Sequence, residues 1–104
     1  MAAKIDKGRK TEKAYDEGVV FFENVVQKAV ESIRDERLTR KELANRLGLT
    51  DEQIRNMERG HRKMTVPDFI LLSIGMGKKP EVVLEEIMRR FSEEIGNWRE
   101  KTGY

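Results

Sequence analysis

Two helix starts lie close together in LTRKELANRLGLTDEQIRNMERG, residues 38–60, and their spacing constrains the fold more than any other feature. Thr39 is followed three residues later by Glu42, and Thr50 is followed three residues later by Gln53. Each pair has the capping-box pattern, in which the two side chains satisfy each other's free backbone N–H groups in the first turn of a helix. The sequence therefore predicts two short helices in direct succession.

The joint between these two helices is very short. Glycine tolerates the positive φ that a helix end requires, so Gly48 ends the first helix and Leu49 leads into the cap of the second. Gly60 ends the second helix in the same way. Because the joint is so short, two helices of roughly eight to ten residues must cross at a large angle, which is the helix-turn-helix arrangement.

Apolar residues at helical spacing predict another helix before this pair, beginning near Tyr15. One face of that helix carries apolar residues at one-turn intervals: Phe22, Val26, Ala29, Val30 and Ile33. Phe21 and Val25 form a second apolar edge. Residues 1–13 have no such periodicity, so we predict a flexible basic tail there.

Two further helices are predicted after the pair. Thr65 caps the fourth helix, with Pro67 in its first turn, where the missing N–H of proline costs nothing. Pro80 begins a fifth helix that is predicted to reach Lys101. Its apolar residues recur at alternating spacings of four and three, the seam of a coiled coil: Leu84, Met88, Phe91, Ile95 and Trp98. No segment alternates like a strand, so the predicted fold is all-α with five helices.

The composition excludes several kinds of site. The chain has 104 residues and no cysteine, which rules out disulfide frameworks, thiolate zinc sites and cysteine nucleophiles. His61 is the only histidine, so we predict no metal site. No catalytic set or cofactor-binding motif is present, so we expect neither an enzyme nor a cofactor. No apolar run approaches the length of a membrane span, so we expect a cytoplasmic protein without membrane contact.

The net charge of +2 conceals a strong pattern along the chain. Residues 1–13 carry five basic and two acidic groups, and residues 37–63 carry eight basic and four acidic groups. Residues 14–36, in contrast, carry two basic and six acidic groups. Positive charge is therefore concentrated in the tail and in the block that contains the paired helices, and such a local basic footprint is typical of nucleic-acid binding.

Residues 34–60, RDERLTRKELANRLGLTDEQIRNMERG, resemble the Cro/C1-type (XRE-family) helix-turn-helix of lambda-repressor-like domains. The matching elements are LTRKELA, LGLT, the apolar pair Ile54 and Met57, and the E-x-G ending at Gly60, and the likeness extends over about residues 26–84. The resemblance implies a five-helix domain whose second motif helix lies in the major groove of DNA. It also implies a dimer that binds two half-sites about one helical turn apart.

The resemblance assigns roles to residues by their position in the motif. The groove-facing positions are the candidates for base reading: Asp51, Glu52, Gln53, Arg55 and Asn56. The residues expected to approach DNA phosphates lie at the helix starts and in the following loop: Thr39, Arg40, Thr50, Arg59, His61, Arg62 and Lys63. Arg34 and Glu58 correspond to an ion pair that links the first helix to the reading helix.

The two acidic residues that begin the reading helix, Asp51 and Glu52, have two interpretations. Negative side chains in the first turn oppose the positive end of the helix macrodipole, which stabilises a helix by about 0.3–1 kcal/mol without any DNA. Alternatively, one of them accepts a hydrogen bond from the N4 amino group of cytosine. The residues alone leave both interpretations open.

The seam on the last helix also has two interpretations, since it can pack on the first helix of its own chain or on the same helix of a second chain. We favour the second, which divides the chain into a tail (1–13), a DNA-binding domain (14–79) and a dimerisation helix (80–104). The predicted function is a transcriptional repressor that binds double-stranded DNA sequence-specifically, as a homodimer on an inverted repeat. The alternatives are an antitoxin that represses its own operon and binds a toxin, and a helix-turn-helix protein-interaction module without DNA binding.

Overall fold

A computed structural model describes the backbone over residues 2–103 and the side chains over residues 15–103. Six helices follow one another along the chain: α1 (Ala2–Asp35), α2 (Arg40–Leu47), α3 (Asp51–Glu58), α4 (Val66–Gly75), α5 (Pro80–Arg90) and α6 (Ser92–Thr102). Residues 2–103 contain no strand, which confirms the all-α class. Helix α1 begins at Ala2 and not near Tyr15, so most of the predicted tail, residues 1–13, belongs to the backbone of α1; the flexibility of that tail stays a prediction.

The capping boxes form as the sequence predicts. The backbone N–H of Thr39 donates to the Glu42 carboxylate at 3.0 Å, and the N–H of Thr50 donates to the side-chain oxygen of Gln53 at 2.8 Å. Gly48 ends α2 with a φ of 69°, in the left-handed region that favours glycine. The joint between α2 and α3 is therefore fixed by local interactions at both of its ends.

The core lies between α1, the α2–α3 pair, α4 and α5. Its members are almost fully buried and come from all five helices and from the α1–α2 connection: Val25, Ala29, Val30, Ile33, Leu38, Leu43, Ala44, Ile54, Met57, Leu72, Met76, Val83 and Ile87. Gly75 marks the closest approach of α4 to α2, because a Cβ atom added there would lie 2.6 Å from Cδ1 of Leu43. Val83 and Ile87 join α5 to this same core.

The prediction of one continuous last helix is wrong. Phe91, with φ −111° and ψ 22°, leaves the helical conformation and separates α5 from α6. The break lets α6 turn back toward α1, where the Trp98 ring stacks on Phe21 at 6.5 Å and meets the edge of Phe22 at 5.3 Å between centroids. Gly18 provides the room, because a Cβ atom on it would lie 2.8 Å from the Trp98 ring.

The predicted seam is thereby divided into two parts. Leu84 and Met88 on α5 are each 48% exposed. Phe91, Ile95 and Trp98 are half-buried within the chain itself. Burial of the Trp98 ring against Phe21 and Phe22 of α1 explains why a straight helix does not form, since a straight continuation would carry this ring away from α1. Over the described residues, none of the helices combines the length and the apolar content needed to cross a bilayer.

Candidate DNA interface

Helix α3 is anchored on one face and open on the other. Ile54 and Met57 are 0% and 1% exposed and fix the helix in the core. The opposite side presents the predicted base-reading residues: Asp51, Glu52, Gln53 and Arg55 are exposed, and Asn56 is half-buried. A rigidly held helix with polar side chains on its free face has the form of a major-groove reading element.

Three of these polar residues have structural roles that do not involve DNA. The side-chain oxygen of Gln53 already accepts the Thr50 N–H, so Gln53 is partly committed to the cap. Asp51 and Glu52 lie in the first turn of α3, where the macrodipole favours their negative charge. Arg55 lies in the last turn of α3, where the macrodipole favours its positive charge, but neither its side chain nor that of Asn56 forms a hydrogen bond or ion pair among the described contacts, so these two residues are the best able to reach bases.

Asn56 also marks where the following loop meets α3. Its backbone carbonyl accepts the N–H of Arg62 at 3.2 Å. The carbonyl of Arg62 in turn accepts the side-chain amide of Gln27 from α1, also at 3.2 Å. Gly60 turns the chain between α3 and this loop with a φ of 78°. These contacts fold the loop that carries His61, Arg62 and Lys63 back against the end of the reading helix.

The structure places Arg34 and Glu58 in a buried ion pair between α1 and α3. The Arg34 guanidinium donates to both carboxylate oxygens, from Nε at 2.5 Å and from Nη2 at 3.2 Å, and from Nη1 to the Leu38 carbonyl at 2.9 Å. The Arg40 Nε lies 3.6 Å from the same carboxylate. Burial raises the pKa of the Glu58 carboxyl, and the guanidiniums of Arg34 and Arg40 act in the opposite direction.

Two of the loop arginines expected at phosphates are held by carboxylates from other helices. Arg59 pairs with Glu31 of α1 at 3.2 Å, and Arg62 pairs with Asp68 of α4 at 3.3 Å. Both arginine side chains remain about half exposed, so each pair lies where solvent screens it. The backbone N–H of Thr65 donates to Asp68 and, as the largest cause, keeps the pKa of that carboxyl below its usual range.

Four of the remaining phosphate candidates are open to solvent, whereas Arg40, beside Glu58, is half-buried. His61 and Lys63 are exposed and form no ion pair with any other described residue. Thr39 and Thr50 are also exposed, and their hydroxyl oxygens accept the backbone N–H groups of Glu42 and Gln53. A hydroxyl that accepts in the cap still has its own hydrogen available to donate to a phosphate oxygen.

Sequence reasoning missed the residues that neutralise or extend this basic surface. Glu31 and Asp68 are partners of loop arginines, and only Asp68 left a local signal, the capping-box spacing from Thr65. Lys28 lines a polar cleft with Arg40 and Arg59 between α1, α2 and α3, and nothing in its sequence surroundings distinguishes it.

Comparison with known proteins supports the same assignment. The Cro/C1-type (XRE) helix-turn-helix family model matches residues 30–83, just over half of the chain, so the chain belongs to this family. The match covers α2, α3, the basic loop and α4, together with the end of α1 and the start of α5. Membership makes DNA binding and transcription regulation the class of function. No match was found among curated proteins or among solved structures.

Proposed function

We propose that this protein is a sequence-specific repressor that acts as a homodimer on an inverted repeat in double-stranded DNA. The observation that carries the proposal is the pair of anchors Ile54 and Met57, which hold α3 so that its polar face stays open. Residues 37–63, which include α3, carry eight basic and four acidic groups. A positioned polar helix within a basic field supplies both parts of recognition, base contacts and phosphate contacts.

Phosphate contacts supply most of the affinity in this proposal. Exposed Lys63 and the loop arginines lie just beyond α3, and Arg40 and Thr39 lie at the start of α2. The positive charges of the lysine and the arginines release counterions from DNA, so the binding constant falls as salt rises, whereas the neutral Thr39 hydroxyl can only donate a hydrogen bond. Because Arg59 and Arg62 are paired with Glu31 and Asp68, their contribution is smaller than that of an unpaired cation.

Base selection rests mainly on Arg55 and Asn56. An arginine side chain forms a bidentate contact with guanine, and an asparagine side chain does so with adenine. Glu52 and Asp51 act as acceptors for cytosine or exclude wrong registers through repulsion from phosphate. Gln53 contributes through whichever amide atoms the Thr50 cap leaves available.

Dimerisation is proposed through α5. Its exposed apolar residues Leu84 and Met88 lie one turn apart on one side of the helix. Phe91, Ile95 and Trp98 contribute less, because they are half-buried within their own chain. The proposal requires that a two-fold pairing of α5 present two copies of α3 to half-sites about one helical turn apart. Sedimentation of Leu84→Ser/Met88→Ser tests this pairing, and a dimer that survives the change contradicts it.

Selection from a library of random duplexes tests the proposed function. We expect enrichment of a two-fold repeat whose half-sites are about 10 base pairs apart from centre to centre. A single enriched half-site contradicts the dimer. The absence of any enriched sequence at low salt contradicts DNA recognition and favours the second candidate, a protein-interaction module. The acidic first turn of α3, Asp51 and Glu52, is the observation that favours that candidate.

A further inference from the structure

An apolar groove runs between α1, α4 and the start of α5. Its volume is about 550 Å³, and most of its lining is aliphatic or aromatic, including Val19, Phe22, Val66, Ile70 and Leu84. Val66 is 72% exposed and Leu84 is 48% exposed, so the groove opens to solvent. Contiguous apolar surface of this kind on a small charged domain indicates an interaction site. None of the proposed DNA contacts is among the described residues that line it, and Leu84 is the one lining residue that the proposed dimer surface also uses.

The shape of the groove suits a helix. Val19, Phe22 and Val26 follow one another along α1 at helical spacing, and Val66 and Ile70 lie one turn apart on α4. Both rows line the groove. An amphipathic helix binds such a trough by inserting apolar side chains at positions i, i+3, i+4 and i+7.

The charged residues in the groove lining indicate which residues of a bound helix lie beside its apolar side chains. Glu23 from α1 and Glu81 from α5 belong to the lining, and no lysine or arginine does among the described residues. Glu23 lies in the block of residues 14–36, which carries six acidic and two basic groups. An occupant with lysine or arginine beside its apolar stripe is therefore favoured, and an acidic occupant is repelled.

We propose that this groove binds an amphipathic helix of a partner protein, one whose apolar stripe is flanked by basic residues. Gln27 also lines the groove, and its side-chain amide holds the Arg62 carbonyl of the basic loop at 3.2 Å. Met64 and Thr65, at the end of that loop, line the groove as well. A helix in the groove therefore touches the segment that carries the proposed phosphate contacts, and partner binding changes DNA affinity through that segment.

The probe is a synthetic amphipathic peptide of leucine, alanine and lysine, about 14 residues or four turns long. Trp98, the only tryptophan, reports binding through its fluorescence, since its ring contacts Phe22 in the groove wall. We expect saturable binding of the lysine peptide and no binding of a matched peptide with glutamate in place of lysine. A saturating concentration of the lysine peptide should also change the dissociation constant of the protein for a DNA duplex by at least about threefold.

Charge reversal distinguishes the groove from general attraction between peptide and protein. Glu23→Lys/Glu81→Lys should weaken the lysine peptide at least about tenfold and create binding of the glutamate peptide. The matched control Glu94→Lys/Glu100→Lys changes the net charge equally on exposed α6 positions outside the groove, and it should retain wild-type binding within about twofold. Circular dichroism confirms that each variant is helical.

Three results would overturn the proposal. Equal binding of the two peptides by the wild-type chain removes the basis for a basic partner. Equal loss in the control variant shows that attraction is not located in the groove. The third result is that Ile70→Ser abolishes self-association and that the monomer binds no peptide. This result would show that a second copy of the chain covers the groove instead. The peptide binding does not require DNA, so it can fail or succeed independently of the proposed function.

Discussion

Replacing Arg34 with methionine tests the linkage between α1 and the reading helix most sharply. Arg34 and Glu58 are both buried, with side chains 4% and 0% exposed, and the replacement removes both hydrogen bonds to the carboxylate. Removing one partner of a buried ion pair costs about 3–5 kcal/mol, because the remaining charge is left uncompensated. Arg40 lies 3.6 Å from the carboxylate and offers partial compensation, so we expect a loss near 3 kcal/mol, about the lower limit.

The loss should depend on pH in a defined direction. Burial raises the pKa of Glu58 in the folded protein, and without Arg34 it should rise further. The cost of the buried charge is present in full above the folded pKa. It is relieved as the pH falls through that value toward the ordinary glutamate pKa, because the folded state then holds Glu58 neutral. The free energy of unfolding of Arg34→Met should therefore approach that of the wild type as the pH is lowered from neutral toward the ordinary glutamate pKa.

Urea denaturation of three variants measures these effects. Arg34→Met at neutral pH gives the cost of the unpaired carboxylate, and Arg34→Met/Glu58→Leu should recover most of the loss, since an apolar pair of similar volume often replaces a buried ion pair at little cost. Arg37→Met, which removes a partly exposed arginine that donates to the Met76 carbonyl, is the matched control. A loss below about 1 kcal/mol for Arg34→Met, or a loss that does not shrink at lower pH, would refute the reasoning.

Three further predictions concern the basic loop and the packing of α4. Lys63→Ala should weaken binding to all duplexes equally and lower the slope of log K against log salt by about 0.9 in fluorescence titrations. Glu31→Gln should have the opposite effect, raising affinity and steepening the slope, because it frees Arg59 for phosphate. Gly75→Ala should reduce the free energy of unfolding by about 1–3 kcal/mol in urea, since the added methyl group meets Leu43.

Each of these predictions has a contradicting result. An Lys63 variant that changes preference among sequences, with an unchanged salt slope, would show a base contact instead. A Glu31 variant with wild-type DNA binding would show that its pair with Arg59 does not compete with phosphate. Wild-type stability of Gly75→Ala would show that α2 and α4 can separate at no cost. Lys101→Ala, on exposed α6, provides a control for the general loss of one positive charge.

Local features of this fold could be predicted from the sequence, because they depend on residues a few positions apart. The capping boxes at Thr39 and Thr50 and the left-handed Gly48 involve neighbouring residues only. Ile54 and Met57 follow from the helical period once the start of α3 is fixed. These determinants establish where the reading helix begins and which face it buries.

Features that depend on distant residues could not be predicted in this way. The apolar seam continues in register through Phe91, so the pattern gives no sign of a break. The break follows from the packing of Trp98 on Phe21 and Gly18, far away in the sequence. The ion pair between Arg59 and Glu31 likewise joins distant residues. Arg59, a predicted phosphate contact, therefore already has a carboxylate partner within its own chain.

The central claim is that the open face of α3 reads DNA sequence, with Arg55 and Asn56 as the main contacts. The most direct measurement is the ratio of affinities for a selected duplex and a shuffled duplex of equal length at one salt concentration. We expect a ratio of about 10³ or more for the wild-type chain, and a ratio near unity for Arg55→Ala/Asn56→Ala, with binding to the shuffled duplex reduced only modestly. A ratio that the double substitution leaves unchanged would contradict the claim.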